Sequence, residues 1–181
     1  MKQFLLAGLG NPEPRYLNTR HNAGFMLADF LAADADLNFS DQKKIQGVLA
    51  KNDDLLLLKP STYMNLSGQS VRACLDYFQI DPSQLVVAFD DLDLELGSVK
   101  LQFARGPKTH RGLYSIYQHL KTEQFWHLRL GVDSRAGDRT IPPDQYVLKQ
   151  LLGEETAALN LSFIEARRAL QSEGLLNLSA R

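Results

Sequence analysis

A histidine, an aspartate and two asparagines are the residues of this sequence whose types suit the hydrolysis of an ester. His21 precedes a predicted helix, and Asn11, Asn65 and Asp90 each follow a predicted strand. A carboxylate can orient an imidazole and stabilise its charged form, and the imidazole can take a proton from water. Amide N–H groups can then stabilise the oxyanion that develops at the carbonyl. A histidine near a helix start is also a common structural feature, so spacing alone leaves both roles of His21 open.

Other catalytic and binding motifs are incomplete in this sequence. The stretch Gly8–Gly10 lacks the third glycine of a dinucleotide-binding fingerprint, because that position is Glu13. The acidic residues Asp90, Asp91 and Asp93 lack the spacing and the glycine of a calcium loop. The four histidines do not have the spacing of metal ligands. We therefore expect neither a cofactor nor a metal ion.

Short apolar runs and helical spacings alternate along the chain, with no repeat and no long linker. This pattern predicts one α/β domain over residues 1–181, a twisted mixed sheet covered by helices. Ligand sites of open α/β sheets lie beyond the carboxyl ends of strands, so the loops that carry Asn11, Asn65 and Asp90 are expected to converge. The predicted strands are Phe4–Leu9, Gly47–Ala50, Leu55–Leu58, Leu85–Phe89, Val99–Phe103 and Leu128–Val132, and the predicted helices are Asn22–Ala33, Leu66–Phe78, Gly112–Leu120 and Glu154–Glu173.

Composition is typical of a globular protein, with 44% hydrophobic and 23% charged residues. No apolar run approaches the roughly 20 residues that a membrane-spanning helix needs, and the apolar start is too short for a signal peptide. We therefore expect a cytoplasmic protein with no membrane partner. The single cysteine, Cys74, excludes an intramolecular disulfide, and its apolar neighbours on a predicted helix indicate an inert core thiol.

Positive charge is concentrated in one segment. The stretch from Val99 to Arg139 has eight Lys or Arg against three Asp or Glu, although the whole chain has a net charge of −1. Such an asymmetry indicates a polyanion that meets one face of the molecule. An ordinary charged surface would explain the same counts, and both interpretations stay open at this point.

Five stretches, in order along the whole chain, resemble the signatures of bacterial peptidyl-tRNA hydrolases. The third of them differs from the family at Phe89, where the family usually has histidine, and at Asp91, where it usually has glutamate. The matching stretches are Gly8–Pro12 with Tyr16–Phe25, Lys59–Gly68, Phe89–Leu94 with Gly97, Phe125–Val132, and Asp144–Leu148.

This resemblance implies an enzyme that cleaves the ester between a peptide and the 3′-terminal ribose of tRNA, and so rescues tRNA from aborted translation. Members of the family are usually monomeric and free of cofactors. By similarity, His21 is the general base and Asp90 is its carboxylate partner. Asn11 and Asn65 shape the crevice and contact the peptide or the 3′ end of the substrate. Tyr16 and Met64 line the crevice, although simple packing would also explain both.

One segment departs from the family. The family has a glycine-rich stretch where this chain has Ala104–Leu113, and the functional asparagine of that stretch is replaced by Arg111. Glycine allows backbone conformations and close approaches that other residues do not, so the loop is expected to change its shape. Arg111 is expected either to compete with His21 for Asp90 and repel an imidazolium, or to bind a phosphate near the tRNA 3′ end.

Two functions are therefore predicted. The first is a working peptidyl-tRNA hydrolase, which the four retained polar residues favour. The second is a related protein that binds tRNA or other RNA through the same fold with weak or no esterase activity. The altered stretch Ala104–Leu113, called the rebuilt loop below, favours this second function. In both, basic side chains are expected to contact the tRNA phosphates, namely Arg105, Lys108, Arg129 and Arg135.

Overall fold

A computed structural model describes residues 3–107 and 109–177 of the chain. The strands are β1 (Phe4–Gly8), β2 (Ser40–Gln42), β3 (Gly47–Lys51), β4 (Leu55–Pro60), β5 (Leu85–Glu95), β6 (Val99–Phe103) and β7 (Trp126–Asp133). The α-helices are α1 (Ala23–Asp34), α2 (Ser67–Phe78), α3 (Arg111–Leu120), α4 (Pro143–Val147) and α5 (Gly153–Ser172). Short 3-10 helices occupy several of the connections.

The seven strands form one mixed sheet in the order β2-β3-β4-β1-β5-β7-β6. The four central strands β4, β1, β5 and β7 are mutually parallel. The outer strands β2, β3 and β6 join through antiparallel pairs, among them the predicted hairpin of β3 and β4. The predicted α/β class with a mixed sheet is confirmed. The parallel arrangement directs the carboxyl ends of the central strands toward one edge, where the polar loops lie.

Helices cover both faces of the sheet, which explains why the central strands are continuous apolar runs. On β1, Phe4 and Leu6 pack into the core beneath α1 and α5, whereas Leu5 and Ala7 pack into the core beneath α2 and α3. Strands β4 and β5 alternate in the same way. Cys74 is fully buried in the second core, and burial raises the pKa of its thiol to about 12, as expected for an inert residue.

Strand β5 is longer than predicted. We expected it to end at Phe89, but its pairing with β7 continues through Asp90 and Asp91, which are both buried. The acidic run stays in the strand because each of these two carboxylates has a partner, which offsets the cost of burying the charge. Strand β2 and helix α4 were not predicted, because each is very short. None of the helices in residues 3–107 and 109–177 combines the length and the hydropathy of a membrane span.

A close contact between backbones places the beginning of α1 against the sheet. A Cβ on Gly24 would lie 2.3 Å from the Ala88 carbonyl oxygen and 2.4 Å from the Leu9 amide nitrogen. A residue with a side chain would therefore push the helix away from β1 and β5. Because the glycine permits this approach, His21, three residues earlier, reaches the end of β5.

Candidate active site

A crevice of about 900 Å³ opens where the central strands end. The structure brings together residues that the sequence places on five separate segments. The predicted site residues that line the crevice are Asn11, Tyr16, His21, Met64, Asn65, Asp90, Arg111 and Arg135. Of the other predicted residues, Arg105 and Arg129 are not among those that line it, and Lys108 lies outside the described residues.

His21 and Asp90 form a hydrogen-bonded pair in the wall of the crevice. Nδ1 of His21 lies 2.9 Å from Oδ1 of Asp90, and the Asp90 side chain is almost fully buried. Burial by itself lowers the pKa of His21, but the charge of Asp90 and the hydrogen bond to it raise the pKa by more, so the net pKa lies above its ordinary value. Because a carboxylate accepts, Nδ1 carries the proton, and Nε2 is left as the basic nitrogen.

His110 contacts the same carboxylate, and sequence reasoning did not identify this residue. Its Nε2 lies 3.0 Å from Oδ1 of Asp90, and its ring centroid lies 5.2 Å from that of His21. Burial favours a protonated Asp90, yet the two histidines hold the pKa of that carboxyl well below its usual range. The sequence signal for His110 was its place two residues before the predicted helix Gly112–Leu120, where a side chain can accept backbone N–H groups.

His21, Asp90 and His110 also resemble a metal site, because their potential ligand atoms all lie within 4.8 Å of one another. The hydrogen bonds of His110 oppose that use. Its Nδ1 accepts the backbone N–H groups of Gly112 and Leu113, at 3.2 and 3.3 Å. A metal on Nε2 would require the proton to move to Nδ1, where it would face these two donors. The arrangement therefore suits proton transfer better than metal binding.

The Asn11 side chain is held in one orientation, and within the described part of the chain its amide nitrogen makes no hydrogen bond. Its Oδ1 accepts the backbone N–H of Met64 at 3.0 Å, which fixes the orientation of the amide. Asn22 holds the Asn11 backbone from the other side: its Oδ1 accepts the Asn11 N–H at 2.9 Å, and its Nδ2 donates to the Asn11 carbonyl at 3.0 Å. Sequence reasoning missed Asn22, whose side chain is fully buried and hidden from the crevice.

Arg111 is exposed at the start of α3 and lines the mouth of the crevice. The structure does not contain the ion pair between Arg111 and Asp90 that we considered possible, and His21 and His110 are instead the partners of that carboxylate, both at Oδ1. The cation still acts at a distance, since its charge lowers the pKa of His21 against the stronger effect of Asp90. Arg111 is therefore available to an anionic group of a ligand.

Two of the predicted tRNA-binding arginines are engaged in ion pairs. Arg129 donates from Nε to Asp91 at 2.6 Å. Arg135 donates from Nε to Asp133 at 2.8 Å, and its side chain is only 7% exposed. Arg105, in contrast, is exposed, and no ion pair joins it to another residue within 3–107 and 109–177.

The wall of the crevice that includes α4 is fastened to the body of the protein. Arg20, which is buried, forms an ion pair with Glu155 of α5 and donates to the carbonyl groups of Lys149 and Gln150. Its guanidinium also lies over the ring of Tyr146 in α4, 4.3 Å from the centroid. These contacts keep α4 beside the segment that contains His21.

The fold and the site define a class: an α/β protein with a histidine–aspartate pair and orienting amides in a crevice at the ends of its parallel strands. Comparison with known proteins then identifies the family. The family model described as peptidyl-tRNA hydrolase matches residues 5–177, and the chain belongs to this family.

Individual relatives agree with this assignment. A peptidyl-tRNA hydrolase from Synechococcus sp. is 40% identical over 97% of this chain and 84% of its own length, and one from Synechococcus elongatus is 39% identical over 93% and 85%. A crystal structure of peptidyl-tRNA hydrolase from Acinetobacter baumannii has 31% identity and a TM-score of 0.84, with 95% of this chain and 89% of that chain covered. A more distant structure is that of an archaeal homologue of a proteasome-assembly chaperone from Pyrococcus furiosus. It has a TM-score of 0.52 at 12% identity, with 98% of this chain and 84% of that chain covered. This likeness concerns the fold alone.

Proposed function

We propose that this protein hydrolyses the ester bond of peptidyl-tRNA and releases the peptide and the tRNA. The observation that carries the proposal is the His21–Asp90 pair in the crevice wall, joined at 2.9 Å. Membership of the family supports the same conclusion. The alternative, an RNA-binding relative without activity, has no comparable support, because the four polar positions that favour the enzyme all lie at one crevice.

His21 acts as the general base of this reaction. Its Nδ1–H is committed to Asp90, so Nε2 takes a proton from a water molecule, which attacks the ester carbonyl. The imidazolium that forms is stabilised by the adjacent carboxylate. The proton then passes to the leaving 3′-oxygen of the ribose. The C–O bond of the ester breaks, and the hydroxyl group of the water remains on the peptide as a carboxyl group.

Asn11 and Asn65 orient the substrate. The Asn11 oxygen accepts the Met64 N–H, and no described residue accepts a hydrogen bond from the amide nitrogen, which is therefore suited to donate to a developing oxyanion or a peptide carbonyl. Asn65 is exposed on the opposite loop and offers a second amide. Tyr16 and Met64 form part of the wall beside them.

Arg111 binds a phosphate near the 3′ end of the tRNA, since an exposed guanidinium at the mouth of the crevice can make bidentate contacts with a phosphate. Arg105 and Lys108 precede it in the chain and extend the positive charge. Arg129 and Arg135 contribute less, because Asp91 and Asp133 neutralise them. We further propose that the protein acts as a monomer in the cytoplasm, because one chain supplies the crevice and the substrate arises in translation.

The decisive experiment measures release of tRNA from an N-acetylated aminoacyl-tRNA by the purified protein and its variants. His21→Ala removes the general base and is expected to lower kcat by roughly 10²–10⁴-fold, with tRNA binding retained. Asp90→Asn is expected to have a smaller effect, because the carboxylate only orients and stabilises the imidazole.

A matched control is His119→Ala. His119 lies on α3, outside the crevice, and bonds the backbone carbonyl of Ser115 at 2.8 Å. This variant is expected to retain the parent rate. If His21→Ala were as active as the parent, the proposed base would be wrong, and if the parent itself released no tRNA, the proposed activity would be wrong.

A further inference from the structure

We propose that His110 is a positioning residue of the active site: by donating its Nε2–H to Asp90 from the rigid start of α3, it fixes the carboxylate that orients His21. The inference rests on the proposed function. It assigns a role to a residue that the mechanism above does not use. The evidence is the set of hydrogen bonds that both nitrogens of the His110 ring make.

The direction of each hydrogen bond follows from chemistry. Nδ1 of His110 faces the backbone N–H groups of Gly112 and Leu113, which can only donate, so Nδ1 must accept. A neutral imidazole then carries its one proton on Nε2, and this nitrogen lies 3.0 Å from Oδ1 of Asp90. The start of α3 thereby selects the tautomer that can donate to the carboxylate.

The surroundings make His110 a firm anchor. Its side chain is only 7% exposed, and its ring packs 5.1 Å from the ring of Phe89. Both nitrogens have partners, so rotation about χ2 would break hydrogen bonds at the two ends of the ring. Oδ1 of Asp90 is therefore held by a residue at a helix terminus, whereas His21, which shares that oxygen, must gain and lose a proton in each turnover.

The two histidines share one oxygen, and this sharing has an electrostatic consequence. Oδ1 of Asp90 accepts from both rings, so the His110 donor withdraws part of the negative charge that His21 would otherwise meet alone. Among the described residues, the charges that act on the pKa of His21 are those of Asp90 in β5 and Arg111 at the start of α3, and the ring of His110 faces His21 with the centroids 5.2 Å apart. If the His110 donor is lost, the pKa of His21 should rise further.

Two substitutions separate the two nitrogens of His110. His110→Asn places an amide near the position of Nδ1, so it can still accept from the first turn of α3, but it cannot reach Asp90. His110→Gln places an amide nitrogen near the position of Nε2, so it can still donate to Asp90, but it loses the contact with the helix. A merely structural role for His110 would make the Asn variant the better substitute.

We expect the opposite order in catalysis. His110→Asn should lower kcat by roughly tenfold to a hundredfold, because small errors of orientation are costly at a reacting centre. It should also move the acid limb of the profile of kcat/KM against pH to higher pH, with a melting temperature close to that of the parent. His110→Gln should have a lower melting temperature than His110→Asn. It should nevertheless retain more of the parent kcat, and its acid limb of kcat/KM should stay at the pH of the parent. The proposal would be overturned if the acid limb of kcat/KM lay at the same pH in the parent and in His110→Asn. It would also be overturned if His110→Gln had a lower kcat than His110→Asn.

The tautomer can be tested without any substrate. In the ¹⁵N-labelled parent protein, the ring-nitrogen chemical shifts of His110 should place the proton on Nε2 and leave Nδ1 unprotonated. Titration with Co²⁺ should give no visible absorption bands of a histidine-bound ion. A protonated Nδ1, or bands that disappear in His110→Asn, would overturn the assignment. If the tautomer is as stated but the parent releases no tRNA, the proposed function fails while the contact between His110 and Asp90 stands.

Discussion

Replacing Arg111 by asparagine tests what the altered loop does to the reaction. Asparagine is the residue that the family usually has at this position, and Arg111→Asn removes an exposed cation from the mouth of the crevice. If Arg111 mainly repels a protonated His21, the substitution should accelerate hydrolysis. If it binds a phosphate, the substitution should slow hydrolysis at low substrate concentration.

The second outcome is favoured because the repulsion between Arg111 and a protonated His21 is small. Two unit charges interact by only about 1 kcal/mol in water even at 4 Å, which corresponds to roughly fivefold in rate, and the exposed Arg111 is screened further by salt. Asp90 already outweighs this repulsion, because the net pKa of His21 is raised despite Arg111. Loss of one phosphate contact should instead reduce the slope of log K against log salt by about 0.7–0.9.

The assay is steady-state hydrolysis of N-acetyl-aminoacyl-tRNA, together with tRNA binding over a range of salt concentrations. For Arg111→Asn we expect a severalfold increase in KM, a kcat within about fivefold of the parent, and a flatter salt slope. Because Arg111 lowers the pKa of His21, its removal should raise that pKa and move the acid limb of kcat/KM to higher pH. Arg168→Asn is the matched control, since Arg168 is exposed on α5 and pairs only with Glu165 among the described residues. A faster Arg111→Asn enzyme with an unchanged salt slope would refute this reasoning.

Three other predictions follow from the site. EDTA should leave the hydrolysis rate unchanged, because no step requires a metal, and loss of activity on chelation would contradict the mechanism. Asn22→Ala should lower the melting temperature and kcat, because the Asn11 N–H and carbonyl lose their partners at roughly 1–3 kcal/mol each, and an unchanged melting temperature would contradict this account. In filter-binding measurements, Arg105→Gln should weaken tRNA binding and flatten its salt dependence more than Arg135→Gln does. The reverse order would place the RNA beside Arg135 instead of Arg105.

The sheet was predictable because its central strands are buried on both faces. Runs such as Leu55–Leu58 and Leu85–Phe89 contain no polar residue that would interrupt the pattern, so their identity as strands follows from composition alone. The end of β5 was not predictable. Asp90 and Asp91 stay in the strand only because distant residues, among them Arg129, satisfy their carboxylates, and no local pattern encodes such partners.

The part of the candidate site that could be predicted consists of residues that lie at or near the ends of predicted strands. Asn11 and Asp90 follow or continue strands whose parallel order brings their ends together, and His21 was expected nearby. His110 and Asn22 were missed because their roles depend on hydrogen bonds to the backbone or to another side chain. The resemblance of His21, Asp90 and His110 to a metal site was missed for a related reason: these residues are 69 and 20 positions apart, so no spacing rule applies.

The rebuilt loop changes its surface and keeps its inner contacts, and this explains how it can coexist with an intact site. Gly106 and Gly112 remain where a Cβ would collide, 2.4 Å from Cδ2 of His127 and 2.6 Å from Sδ of Met64, respectively. Ala104 has a positive φ of 51°, a backbone conformation that favours glycine. The loop therefore keeps this conformation although the residue is an alanine. Among the described positions that gained bulk or charge, Arg105, Thr109 and Arg111 are exposed and Ala104 is half-buried. The departure therefore adds exposed cations, with Arg111 at the crevice, and leaves the contact of His110 with Asp90 in place, which supports the proposal of a working enzyme.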